Sequence, residues 1–178
     1  MPRVHHVKKA RKDNRVVKAG EPYYWWSTRI TVGKRYVSQK HYSKTVPKPS
    51  QLTSSDFLSQ MYGFEEQIGE FSATSADDLR SEVESIAEEI RNLGEEQQGK
   101  LDNMPEGLQE GPTGQMLQER LDGCEAMADE LENVDFDDYD GPEWGSEDGK
   151  LPNDPPEEYT EWLEGKLSEV QGVAYSGE

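Results

Sequence analysis

Three stretches of the chain space their apolar residues in alternating steps of four and three. Phe57, Met61, Phe64, Ile68 and Phe71 form the first series, Leu79, Val83, Ile86, Ile90 and Leu93 the second, and Leu117, Leu121, Cys124, Ala128 and Leu131 the third. A helix returns to the same face every 3.6 residues, so each series is one apolar stripe of a packed helix with polar flanks. Ser55 and Ser75 stand where side-chain N-caps are expected, ahead of first turns that contain aspartate, and Thr113 is the expected cap of the third helix. Pro105, Gly107, Gly111, Pro112 and Gly114 break the second series from the third, so those two should fold back as an antiparallel hairpin. Asp102 or Asn103 should turn the chain there, with Met104 and Leu108 tucked into the hairpin end. The mixed sizes of the stripe residues favour a small globular bundle over a long coiled coil.

Upstream the period is two. In YYWWSTRITV (23–32), Tyr24, Trp26, Thr28, Ile30 and Val32 alternate onto one face, and Tyr23, Trp25, Ser27, Arg29 and Thr31 onto the other. Aromatic and β-branched residues at this spacing predict a strand. Gly33 supplies the turn and Arg35–Ser38 starts the return strand, while VPKPS (46–50) cannot continue a ladder and reads as a linker. The expected fold class is α+β. A basic arm (1–20) and a β-hairpin with its linker (21–50) precede a helical bundle (51–134). An irregular acidic segment with a short C-terminal helix (135–178) follows, that helix starting at Pro156 with Tyr159, Trp162, Leu163, Leu167 and Val170 on its apolar side.

Charge divides the chain the same way. Residues 1–50 hold 13 Lys/Arg against Asp13 and Glu21, a net of +11; residues 51–178 hold the other 6 against 35 Asp/Glu, a net of −29, within a total of −18. Only 32% of residues are hydrophobic, which limits the core to a modest size. A single cysteine excludes an intrachain disulfide, the apolar runs are too short to span a bilayer, and MPRVHHVKKARK lacks the apolar region of a secretory signal. The expected setting is cytoplasmic: a host cytoplasm or a virion, should the protein be viral.

Cations interleaved with aromatic rings suit nucleic acid, because Lys and Arg neutralise phosphates and release counterions while flat rings stack on bases. The residues that should carry this are Arg3, Lys8, Lys9, Arg11, Lys12, Arg29, Lys34 and Arg35, with Tyr23 and Trp25 as stacking groups. The arm over 1–20 is expected to be extended and to order on contact with a polyanion. No cofactor, metal or catalytic residue is expected. His5, His6, His41 and Cys124 lack zinc spacing, DFDDYDG (135–141) lacks the ligand order of an EF-hand, and no phosphate-binding or nucleophile motif occurs. Cys124 sits at stripe spacing, as a core thiol does.

In local pattern WWSTRITVGKRYVSQ (25–39) resembles the arm-binding hairpin at the N-terminus of tyrosine recombinases, although no Arg-His-Arg-Tyr catalytic set follows. The stretch 101–135 resembles a helix–loop–helix element of uncharacterised phage and bacterial proteins. The residues that carry this are Asp102, Asn103, Met104, Pro105, Glu106, Leu108, Gln109, Gly114, Leu117, Glu119 and Arg120. That resemblance implies a phage-type accessory protein and no particular activity. The leading expectation is therefore a non-enzymatic binding protein that contacts nucleic acid or a nucleoprotein, with a host or virion protein as a second partner. One alternative is a carboxylate-rich mimic of nucleic acid that blocks a DNA-binding or defence protein. Another is an assembly protein that uses its helical stripes.

Overall fold

The structure is a computed structural model and describes residues 1–140 and 155–177. The strand and helix expectations meet in an α+β fold. Strands β1 (His5–Val7), β2 (Tyr23–Val32) and β3 (Arg35–Ser43) are followed by helices α1 (Asp56–Gly69), α2 (Ala76–Asp102), α3 (Glu106–Gln109), α4 (Pro112–Glu132) and α5 (Glu157–Gln171). The chain divides into two units, Met1–Gly63 and Phe64–Glu178, and the division falls inside α1.

In the first unit the sheet is antiparallel in the order β1-β2-β3. Val32 pairs with Arg35 across the two-residue turn Gly33-Lys34. Gly33 has φ +63° and no non-glycine residue among the described residues has positive φ, the pattern of a turn with glycine at its first central position. Trp26 and Thr28 are buried on the inner face, as their alternation predicts. The indole Nε1 of Trp26 donates to Gln51 O at 3.0 Å, which satisfies the ring's one polar atom and ties down the 3-10 turn Pro49–Gln51. Ser59 Oγ donates to Ser50 O at 2.8 Å, fixing the start of α1 to the same turn. The expected VPKPS linker is thus a packed connection, with Pro47 buried.

The free arm over 1–20 is corrected. His5–Val7 pairs with Tyr23–Trp25, and the loop that follows is stapled by its own polar groups. Ala10 N–H donates to Glu21 O and Gly20 N–H to Ala10 O, both at 2.9 Å. Asn14 Oδ1 accepts from Val16 and Val17 N–H, and Asp13 Oδ1 accepts from Ala19 N–H at 2.8 Å. Ala10 and Val17 are the loop's buried anchors. Two small apolar contacts suffice because Asx-type bonds supply the turn geometry that a longer apolar run would otherwise have to impose.

The second unit is built on α2 and α4, an antiparallel pair. All five stripe residues of α2 are buried, together with Ala87, Gly94 and Gln97; in α4 Leu117, Cys124, Met127, Ala128 and Leu131 are buried. Each large apolar side chain withdrawn this way contributes about 2 kcal/mol before chain entropy is set against it. Ser75 caps α2 by accepting from Asp78 N–H, and Ser55 Oγ accepts from Leu58 N–H at the start of α1. Thr113 does not cap α4. Gly111 does, because Pro112 takes the first helical position, where its missing N–H costs nothing. At the α2 end Asn103 is the C-cap and its Nδ2 donates to Gly99 O. Leu108 does not tuck in; it is 60% exposed, and Gln109 closes the hairpin end instead by donating Nε2 to Leu101 O and Met104 O. Helix α5 adds Tyr159, Leu163 and Val170 to the core, and Tyr159 Oη accepts from Ala76 N–H at 2.9 Å.

The irregular acidic segment is described only to Asp140; its residues 141–154 lie outside the described residues. The described part is pinned. Phe136 is buried, Asp137 meets Arg80 at 2.6 Å, and Asp138 accepts from Lys166 Nζ at 2.7 Å and Trp162 Nε1 at 2.9 Å. These bonds hold the Asp138 carboxyl below the usual range and raise the Lys166 ammonium. Of the carboxylates in DFDDYD, Asp137 and Asp138 are thus directed at Arg and Lys side chains, and Asp135 Oδ1 accepts from Asp137 N–H.

Candidate nucleic-acid interface

Period-two alternation and the sheet register decide which side chains share the outer face. Trp25 pairs with His5 on β1 and Tyr42 on β3, Ser27 with Lys40, Arg29 with Ser38, and Thr31 with Tyr36. Tyr23, Trp25, Arg29, Tyr36, Lys40 and Tyr42 therefore stand on one side of the sheet, away from Trp26 and Thr28. Tyr36 is 80% exposed and Tyr42 37%.

Trp25 is not an open stacking platform. The His5 ring lies parallel to it with centroids 4.2 Å apart, and Lys40 Nζ stands 5.3 Å from its centroid. The neighbouring β2 aromatics carry histidines on the other face: His6 on Tyr24 at 4.7 Å and His41 on Trp26 at 5.4 Å. Thr28 Oγ1 and His41 Nε2 are 2.8 Å apart, which uses one ring nitrogen of His41. All three histidines thus stack against the aromatic run of β2.

β1 covers β2 only over Tyr23–Trp25, so from Trp26 to Val32 the single strand neighbour of β2 among the described residues is β3. This outer part is a two-stranded ribbon. Arg29, Thr31 and every residue from Arg35 to Lys40 are exposed, and Lys34 is exposed in the turn. Arg29 and Lys40 lie on the outer face, while Arg35, paired with Val32, belongs to the other. The ribbon thus presents cations on both sides.

At the opposite end of the sheet the stapled loop sets Lys9, Arg11 and Lys12 around a cavity of about 400 Å³ that Tyr23 and Tyr42 also line, with Val7, Asp13 and Asn14. The two tyrosine rings are 6.1 Å apart and tilted by 42°. Of the residues expected to bind nucleic acid, Lys9, Arg11, Lys12 and Tyr23 come together here; Arg29, Lys34 and Arg35 gather on the ribbon; Arg3 and Lys8 are exposed and line neither. Among the described residues none of these eight cations is ion-paired with a carboxylate. Tyr36, Lys40 and Tyr42 join the outer face although they are not among the residues expected to bind. The signal that finds them is the return strand's own alternation, Tyr36-Ser38-Lys40-Tyr42, once Val32 is paired with Arg35.

Among the described residues no three His, Cys, Asp or Glu side chains gather as a metal site, and no helix is long and apolar enough to cross a membrane. Cys124 is buried, and burial pushes its thiol up to about 11. Comparison with protein-family models, with curated proteins and with solved structures finds no match.

Proposed function

We propose that the N-terminal unit is a non-enzymatic nucleic-acid binder whose β2–β3 ribbon enters a groove of a double helix, free or within a nucleoprotein. The observation that carries this reading is the ribbon: β3 is exposed from Arg35 to Lys40 and β2 at Arg29 and Thr31, with Arg29, Lys34, Arg35 and Lys40 free of carboxylate partners among the described residues. A two-stranded ribbon has the width that the major groove of B-form DNA admits. Beyond the buried Trp26 and Thr28, the residues from Arg29 to Val32 reach about 10 Å, enough to set the cations at the ribbon's tip against the groove's phosphates. Exposed cations contribute counterion release, and the exposed Tyr36 ring adds apolar contact area.

The test is fluorescence anisotropy of the full chain with a labelled 20-base-pair duplex at several salt concentrations. Four phosphate contacts give an affinity loss of about 100-fold between 50 and 200 mM salt. The triple variant Arg29→Ala, Lys34→Ala, Arg35→Ala should flatten the slope of log affinity against log salt by about three. Binding that ignores salt, or a triple variant that binds as tightly as the parent chain, removes the reading.

A further inference from the structure

We infer that the cavity between the stapled loop and the outer sheet face is a binding site for a single nucleotide. Its phosphate would sit against Lys9, Arg11 and Lys12 and its base on the Tyr23–Tyr42 pair. The inference rests on no part of the ribbon reading, since the two sites occupy opposite ends of the sheet and share no residue.

Four observations converge. The volume, about 400 Å³, is that of a small-ligand pocket and too small for a folded partner. Its lining is three cations and one carboxylate, leaving two positive charges, which match a phosphate monoester dianion. The remaining polar edge, Asp13, already spends Oδ1 on Ala19 N–H, so Oδ2 is the acceptor left for an amino or hydroxyl group of the ligand. The aromatic part is the half-buried Tyr23 beside the more exposed Tyr42, rings 6.1 Å apart, an apolar platform that a base can cover.

The site is also preorganised. Lys9, Arg11 and Lys12 lie on a loop closed at its neck by the Ala10–Glu21 and Gly20–Ala10 hydrogen bonds and in its interior by Asn14 and Asp13. Holding like charges together in the empty protein is costly, and the internal bonds of the loop offset that cost. A ligand then meets donors already in place and loses less entropy on binding.

Titration calorimetry on the full chain tests this with five probes: adenosine 5′-monophosphate, inorganic phosphate, adenosine, and a tetrathymidylate with and without a 5′-phosphate. The monophosphate should bind at least 10-fold more tightly than inorganic phosphate, and adenosine should bind more weakly than either. Tyr42→Leu, which keeps a strand-compatible residue, should remove the advantage of nucleotide over phosphate. Lys9→Gln with Arg11→Gln, on exposed side chains that leave the loop bonds intact, should abolish both. If the phosphorylated tetranucleotide gains affinity over its unphosphorylated form, the natural source is a strand end. If only the mononucleotide binds, it is free nucleotide. Absence of monophosphate binding at millimolar concentration, or binding that both variants retain, overturns the proposal. Duplex binding through the ribbon would be untouched by that failure.

Discussion

Gly114 and Gly99 are both helical glycines, yet the structure gives them opposite values. A Cβ on Gly114 would collide with Gln109 O, the backbone of the α3 turn, and backbone cannot step aside as a side-chain tip can. Gly114→Ala should therefore destabilise by about 3 kcal/mol. Gly99 in α2 has nothing within 4 Å of the added carbon, so Gly99→Ala should stabilise by about 0.5–1 kcal/mol through helix propensity and a less entropic unfolded chain. Urea melts of the two variants check both signs. Gly94 is intermediate: its added Cβ would lie 3.1 Å from Cys124 Cβ, where α2 and α4 approach. Cys124 itself makes stability depend on alkaline pH. Its thiol titrates near 9 when unfolded and at about 11 when folded. The thiol thus contributes stability that is fully present below pH 9 and is lost as pH rises through 11. Between pH 8 and 10.5 the parent chain should lose more stability than Cys124→Ala, measured as the difference in urea midpoint. Equal losses would show that the thiol is not held in its neutral form.

Elements differ in how much of them local spacing encodes. Stripes in α2 and α4, the caps at Ser55 and Ser75, and the Gly33 turn were legible because each depends on residues within one or two turns of one another. Loop 8–22 was not, because its structure depends on side-chain bonds from Asp13 and Asn14 and on pairing with Tyr23, none of which leaves an apolar period. The outer face was half legible: β2 showed its own alternation, but Tyr36, Lys40 and Tyr42 could be assigned only with the register in hand. The α2–α4 pair also depends on elements outside it. Tyr159, Leu163 and Val170 of α5, and Ile68 at the end of α1, are buried in the same unit. Residues 76–134 alone should accordingly be helical by circular dichroism but melt broadly and early, since two stripes bury too little to offset their chain entropy. A sharp transition matching that of the full chain would refute this.

At the scale of the whole molecule, charge and contact divide in the same place. Met1–Gly63 holds 13 Lys/Arg against Asp13, Glu21 and Asp56, and the rest of the chain holds the opposite excess. Acidic groups tethered in the same chain compete with an external polyanion at high effective concentration, and salt weakens that competition. Truncation at Asn133 is a poor probe of it, because α5 and its buried side chains would go too. Changing Glu143, Glu147, Asp148 and Asp154 to their amides is the cleaner one. The amide variant should bind duplex DNA several-fold more tightly than the parent at low salt and equally at high salt; equal affinity at low salt would dismiss the competition. The open ribbon has a colloidal consequence as well. The outer edge of β3 has no strand beside it among the described residues, and Arg35 and Lys40 on that strand, with Lys44 just after it, carry exposed charge. Such charges are what keep two bare edges from zipping together. A polyanion that neutralises them removes the repulsion, so titrating with heparin toward charge balance should make the solution scatter light and redissolve past it. The side chains that recruit a ligand would then also keep the protein molecules apart.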